Sequence, residues 1–77
     1  MMRTCTEADF SVSLVVCTGK KKSGRNYIYC EFSFYRAGEC IRREIPAGKY
    51  DDCVKLYEKI AKRNIPLSEC KAAIEAL

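Results

Sequence analysis

Seventy-seven residues, 48% of them apolar and 31% charged, make one small soluble domain that buries only about 60% of the surface its unfolded chain exposes. Fourteen basic against ten acidic residues leave a net charge of +4, which suits nucleic acid, acidic proteins or anionic surfaces as partners and also suits solubility alone. No apolar run approaches the ~20 residues of a membrane span, so no membrane partner is expected. Met1-Met2-Arg3-Thr4-Cys5 lacks the hydrophobic core of a secretory signal, and a cytoplasmic protein is expected.

The first nine residues read as a loose tail of the single 1–77 domain. Phe10, Val12, Leu14 and Val16 then alternate with Ser11, Ser13, Val15 and Cys17, the period of a strand with one apolar face. Residues 18–26, Thr-Gly-Lys-Lys-Lys-Ser-Gly-Arg-Asn, form a loop in which two glycines can take positive φ. A second strand follows over 27–36. It sends Ile28, Cys30, Phe32 and Phe34 to one face and Tyr27, Tyr29, Glu31, Ser33 and Tyr35 to the other.

Ala37-Gly38 marks a tight reversal into a third strand over 39–45, with Ile41 and Ile45 facing the core. The parities of both hairpins agree. Setting Val16 opposite Ile28 brings Leu14 to Cys30, Val12 to Phe32 and Phe10 to Phe34, while the second turn sets Phe34 against Ile41 and Cys30 against Ile45. It also sets Arg43 against Phe32 on the apolar side, which requires a bulge or an arginine that reaches past the edge of the sheet.

Pro46-Ala47-Gly48 ends the sheet, and a helix from about 50 to 63 opens with Asp51 and Asp52 at the positive end of its dipole. Cys53, Val54, Leu56, Tyr57, Ile60 and Ala61 make its apolar stripe. Asn64-Ile65-Pro66 breaks it, and a shorter helix over 66–77 buries Leu67, Cys70, Ile74 and Leu77. The expected fold is α+β: a three-stranded antiparallel sheet packed on one face by one long and one short C-terminal helix, in the order β-β-β-α-α.

Six cysteines, at 5, 17, 30, 40, 53 and 70, could form a disulfide framework in a secreted domain. With no export signal, and with the cysteines spread through regular elements, they are expected to be mostly unpaired thiols acting as small hydrophobes, with Cys30 and Cys53 approaching one another in the core. No pair has zinc-knuckle spacing and there is no histidine, so no metal site is expected. The absence of histidine also removes Cys-His and Ser-His pairs, and Gly19 and Gly24 lack the spacing of a nucleotide loop. A non-enzymatic protein without a cofactor is expected.

The functional expectation rests on the open sheet face. Tyr27, Tyr29 and Tyr35 would stand there as an aromatic patch beside Lys20, Lys21, Lys22 and Arg25, and such rings serve as interface anchors or stacking platforms, or simply as good strand formers. Arg42, with Arg36 and Arg43, would read guanine edges or pair with Glu39 and Glu44 across the hairpin.

Ile45-Pro46-Ala47-Gly48-Lys49-Tyr50-Asp51, followed by Leu56-Tyr57-Glu58-Lys59-Ile60-Ala61 and preceded by Lys22-Ser23-Gly24-Arg25-Asn26-Tyr27, resembles the arm-type N-terminal DNA-binding domain of conjugative-transposon tyrosine integrases over about residues 19–63. The resemblance implies a sheet that lays its open face into the DNA major groove, and a chain that keeps only the DNA-binding part, without the recombinase catalytic domain. Two partners are therefore expected in the alternative. One is double-stranded DNA held through the open face and basic loop. The other is a host nucleic-acid-processing enzyme, blocked through the same face by a protein–protein inhibitor or adaptor that resembles anti-CRISPRs of phages and other mobile genetic elements; acidic residues beside the tyrosines favour this second partner.

Overall fold

A computed structural model describes residues 2–77. Four antiparallel strands form one sheet in chain order: β1 (Met2–Thr6), β2 (Ser11–Lys20), β3 (Asn26–Arg36) and β4 (Glu39–Pro46). A short 3-10 turn over Ala47–Lys49 leads to α1 (Tyr50–Ala61), and α2 (Leu67–Glu75) closes the chain. Both helices lie on the same side of the sheet, so the molecule is a two-layer α+β domain with one bare sheet face.

The sheet has four strands where the sequence predicts three. The segment read as a loose tail supplies the extra one: Arg3 and Cys5 turn inward while Met2, Thr4 and Thr6 turn out, an alternation too short and too polar to stand out from local pattern alone. Its pairing sets Cys5 opposite Val12 and Arg3 opposite Leu14.

Parity across the β2–β3 hairpin is as expected, but the pairing is displaced by two residues: Val12 faces Phe34, Leu14 faces Phe32, Val16 faces Cys30 and Thr18 faces Ile28. A slip of two keeps every side chain on its own face, so the hydrophobic pattern cannot detect it. The turn decides it. Strand pairing continues to Lys20 opposite Asn26, and the loop tightens to a turn in which Gly24 donates its N–H to the Lys21 carbonyl at 2.8 Å and Lys21 donates to Arg25 at 2.8 Å, with Gly24 at φ 86°.

Between β3 and β4 the register is the expected one, Phe34 to Ile41, Phe32 to Arg43 and Cys30 to Ile45. Arg43 needs no bulge. Its guanidinium reaches past the sheet to the end of α2 and donates to the carbonyls of Ile74 at 2.8 Å and Glu75 at 2.6 Å in the last helical turn, where carbonyls lack helical i+4 donors.

The core consists of Phe10, Val12, Leu14, Cys30, Phe32, Phe34 and Ile45 from the sheet side, met by Cys53, Leu56, Tyr57 and Ile60 of α1 and by Cys70 and Ile74 of α2. Ile28, whose alternation predicts a place among them, is 59% exposed. The reason is length: eleven residues of β3 extend about 36 Å at ~3.3 Å each, whereas the twelve of α1 cover about 18 Å. The helical layer ends near Cys30, and the β2–β3 hairpin projects beyond it, giving the molecule extents of 41 × 24 × 21 Å.

All six cysteines are unpaired. Cys30 and Cys53 do become neighbours in the core, where each influences the other's thiol, and burial pushes the Cys53 thiol up to about 11.

Candidate functional site

β4 stops at Pro46, opposite Tyr29, and β1 begins with Met2, opposite Val15. Beyond those points, among the described residues, β2 and β3 have only each other, so residues 16–28 form a two-stranded ribbon with both outer edges free. Lys20, Lys21, Lys22 and Arg25 occupy its tip. All four are exposed, and none has an acidic partner among the described residues.

Tyr27 faces Gly19 across the ribbon, and its ring lies over that glycine: a Cβ there would come within 2.5 to 2.7 Å of the ring atoms. Gly19 thus makes the space that Tyr27 occupies. Tyr29 follows on the same face, its ring 5.5 Å from that of Tyr27 and tilted by 33°, and the Lys21 ammonium stands 6.0 Å from the Tyr27 centroid. Burial, then the neighbouring Cys17 thiol and the Glu44 carboxylate, push the Tyr29 phenol above its ordinary value, so it remains a neutral donor.

Tyr35 does not join this pair. Eight positions of strand separate it from Tyr27, about 26 Å at ~3.3 Å per residue, with Glu31 and Ser33 between them on the open face. It stands instead at the opposite end of the sheet, opposite Ser11 and Cys40. The expected patch of three rings is therefore a patch of two, plus one distant ring.

The middle of the open face is polar. Thr4, Ser13, Ser33 and Arg42 make one row across it, and Val15, Glu31 and Glu44 the next. Arg42 is tied diagonally to Glu31 at 3.4 Å, rather than to Glu39 or Glu44, which leaves Glu44 without a cation among the described residues. Arg42 thus belongs to the sheet's own charge balance. Arg43 is engaged by α2.

Of the eight expected site residues, Lys20, Lys21, Lys22, Arg25 and Tyr27 come together on the projecting ribbon with Tyr29 at its base, while Tyr35 and Arg42 lie elsewhere on the face. Two neighbours escaped sequence reasoning. Gly19 lies in the stretch whose composition predicts a loop but is strand floor under Tyr27, as a glycine in a strand is where another side chain approaches closely. Glu44, which the sequence offers as an arginine partner or as a carboxylate that opposes phosphate, stands at the base of the ribbon without an arginine partner among the described residues.

No group of three or more His, Cys, Asp or Glu side chains converges as metal ligands would among the described residues, and no helix is long and apolar enough to cross a membrane. Compared with family models, curated proteins and solved structures, the chain matches none of them.

Proposed function

We infer that this protein is a non-enzymatic binding module that takes double-stranded DNA with its basic hairpin and the adjoining open sheet face. The observation that carries this reading is the location of the charge. No acidic residue lies between Phe10 and Cys30, so with Lys20, Lys21, Lys22 and Arg25 set aside the remaining ten basic residues equal the ten acidic ones. The whole net charge of +4 sits at the tip of a projecting ribbon. A two-stranded ribbon is also an element the DNA major groove can admit, and cations at its tip would displace phosphate counterions. The resemblance to integrase arm-type domains points to the same partner.

The test is binding to blunt duplex DNA measured across a salt series. Four phosphate contacts give a slope of log K against log salt of about −3.6. Replacing Lys20, Lys21, Lys22 and Arg25 by glutamine should bring that slope close to zero in a protein with unchanged circular dichroism; a wild type that fails to bind duplex at low salt sinks the reading.

A second reading, an inhibitor or adaptor that blocks a host nucleic-acid-processing enzyme, is favoured by the acidic and hydroxyl-rich middle of the open face, where Glu31 and Glu44 stand directly opposite. Those carboxylates repel phosphate. A complex with a protein partner that depends on Tyr29, together with no duplex affinity, would select it.

A further inference from the structure

The end of β4 at Pro46 leaves a gap beside β3, and that gap is a groove of about 300 Å³ whose polar and aromatic lining is Lys21, Tyr27, Tyr29 and Glu44, the rest of it being apolar. Its chemistry is specific. One wall is the tyrosine pair, with Tyr27 seated over Gly19 and its centroid 5.5 Å from that of Tyr29. A lysine stands at the tip side, 6.0 Å from the Tyr27 centroid. At the other end is Glu44, near enough to Tyr29 to help raise its phenol pKa.

Glu44 is the unexplained member. It lies directly opposite Glu31, an arrangement that destabilises a sheet, and the arginine that relieves the pair goes to Glu31. No hydrogen bond or ion pair gives Glu44 a structural task among the described residues. An aromatic wall, a free carboxylate and a free ammonium together call for a planar ligand with a hydrogen-bond donor on one edge and an anionic group on the other side. An aminated nucleobase with its phosphate has that form: bases stack on aromatic rings, a carboxylate accepts from an exocyclic amine such as cytosine N4, and a lysine takes the phosphate. Thymine suits the groove less well, because its one edge donor is flanked by two carbonyl oxygens that would oppose the carboxylate.

We propose that the groove is a pocket for one unpaired, amine-bearing nucleobase, stacked on Tyr27 and Tyr29 with its amine donating to Glu44 and its phosphate on Lys21. This rests on the nucleic-acid reading above and narrows its substrate class. The preferred ligand becomes a duplex that ends in, or is interrupted by, a short single strand, with the hairpin tip on the duplex phosphates and the groove on the first unpaired base.

Fluorescence anisotropy with labelled DNA tests it, using three probes of one duplex sequence: blunt, with a short oligo-cytosine overhang, and with a short oligo-thymine overhang. The cytosine overhang should tighten binding about tenfold over the blunt duplex, the size of one base stacked on an aromatic ring. Tyr29→Ala should abolish that gain, so that it binds the overhang and blunt probes alike; Gly19→Ala, which evicts the Tyr27 ring without touching a charge, should do the same. Glu44→Ala should erase the preference for cytosine over thymine. Equal affinity of the wild type for all three probes overturns the pocket while leaving duplex binding intact, as does a cytosine preference that survives Tyr29→Ala and Glu44→Ala in folded protein. Failure to bind even the blunt duplex removes the nucleic-acid reading and the pocket with it.

Discussion

Arg63 holds a left-handed backbone at φ 57° just past the end of α1, a conformation that favours glycine. Its N–H donates to Ile60 and that of Asn64 to Lys59, which satisfies carbonyls of the last turn, and the side chain supplies what a glycine could not. The guanidinium forks onto both oxygens of Asp9, with Nη1 donating to Oδ2 at 2.7 Å, and stands 4.9 Å from the Phe10 ring centroid. The end of α1 is thereby fastened to the turn between β1 and β2. Those hydrogen bonds hold the Asp9 carboxyl below its ordinary value of 3.8. A carboxyl with a lowered folded pKa contributes stability that is complete above its unfolded value and disappears as pH falls through the folded one. Denaturant melts of wild type and Asp9→Asn should therefore differ at pH 7 and converge at pH values below the folded Asp9 pKa. A difference that stays constant over that range would show that the ion pair contributes nothing.

At the scale of elements, the two hairpin turns obey their sequences unequally. Gly24 and Gly38 take positive φ at 86° and 87° without strain, but Ala37 takes φ 45° as the first residue of the Ala37-Gly38 reversal, where asparagine or glycine is the ordinary choice. Ala37→Asn should stabilise the protein by about 0.5–1 kcal/mol, read as a higher denaturant midpoint at unchanged slope; a lower midpoint would mean that the turn is not of the primed type. The outcome for β4 shows how an apparent conflict is resolved between elements. Arg43 has an apolar position by parity and a half-buried one in fact, and the carbonyls of α2 provide its reason. Neither β4 nor α2 alone contains that information, since the partners are 31 and 32 residues apart.

Over the whole molecule, the sheet is longer than the helical layer, and this one mismatch produces both a closed core and an open arm. Cys30, Cys53 and Cys70 lie under the helices, whereas Cys40 is exposed on the bare face. Pulsed alkylation followed by mass spectrometry should label Cys40 first and leave Cys30, Cys53 and Cys70 until global unfolding, because burial also keeps those three thiols protonated. Early labelling of Cys53 would contradict the packing of α1 on the sheet.

Alternation and helical period, both local properties, were enough to assign Val12, Leu14, Phe32, Phe34 and Ile45 to one face and Tyr27, Tyr29 and Glu31 to the other, to place both helices, and to mark the lysine-rich turn. They could not reveal a two-residue slip, because a slip of two leaves every parity intact. Nor could they show that α1 stops short of Ile28, that Met2–Thr6 would find an edge to pair with, or that Tyr35 would stand far from Tyr27 and Tyr29. Period assigns a side chain to a face. Which part of that face is covered, and which charges are left without partners there, depends on the relative lengths and stacking of segments distant in the chain, and so only the tertiary structure brought Gly19, Tyr27, Tyr29, Lys21 and Glu44 around one groove.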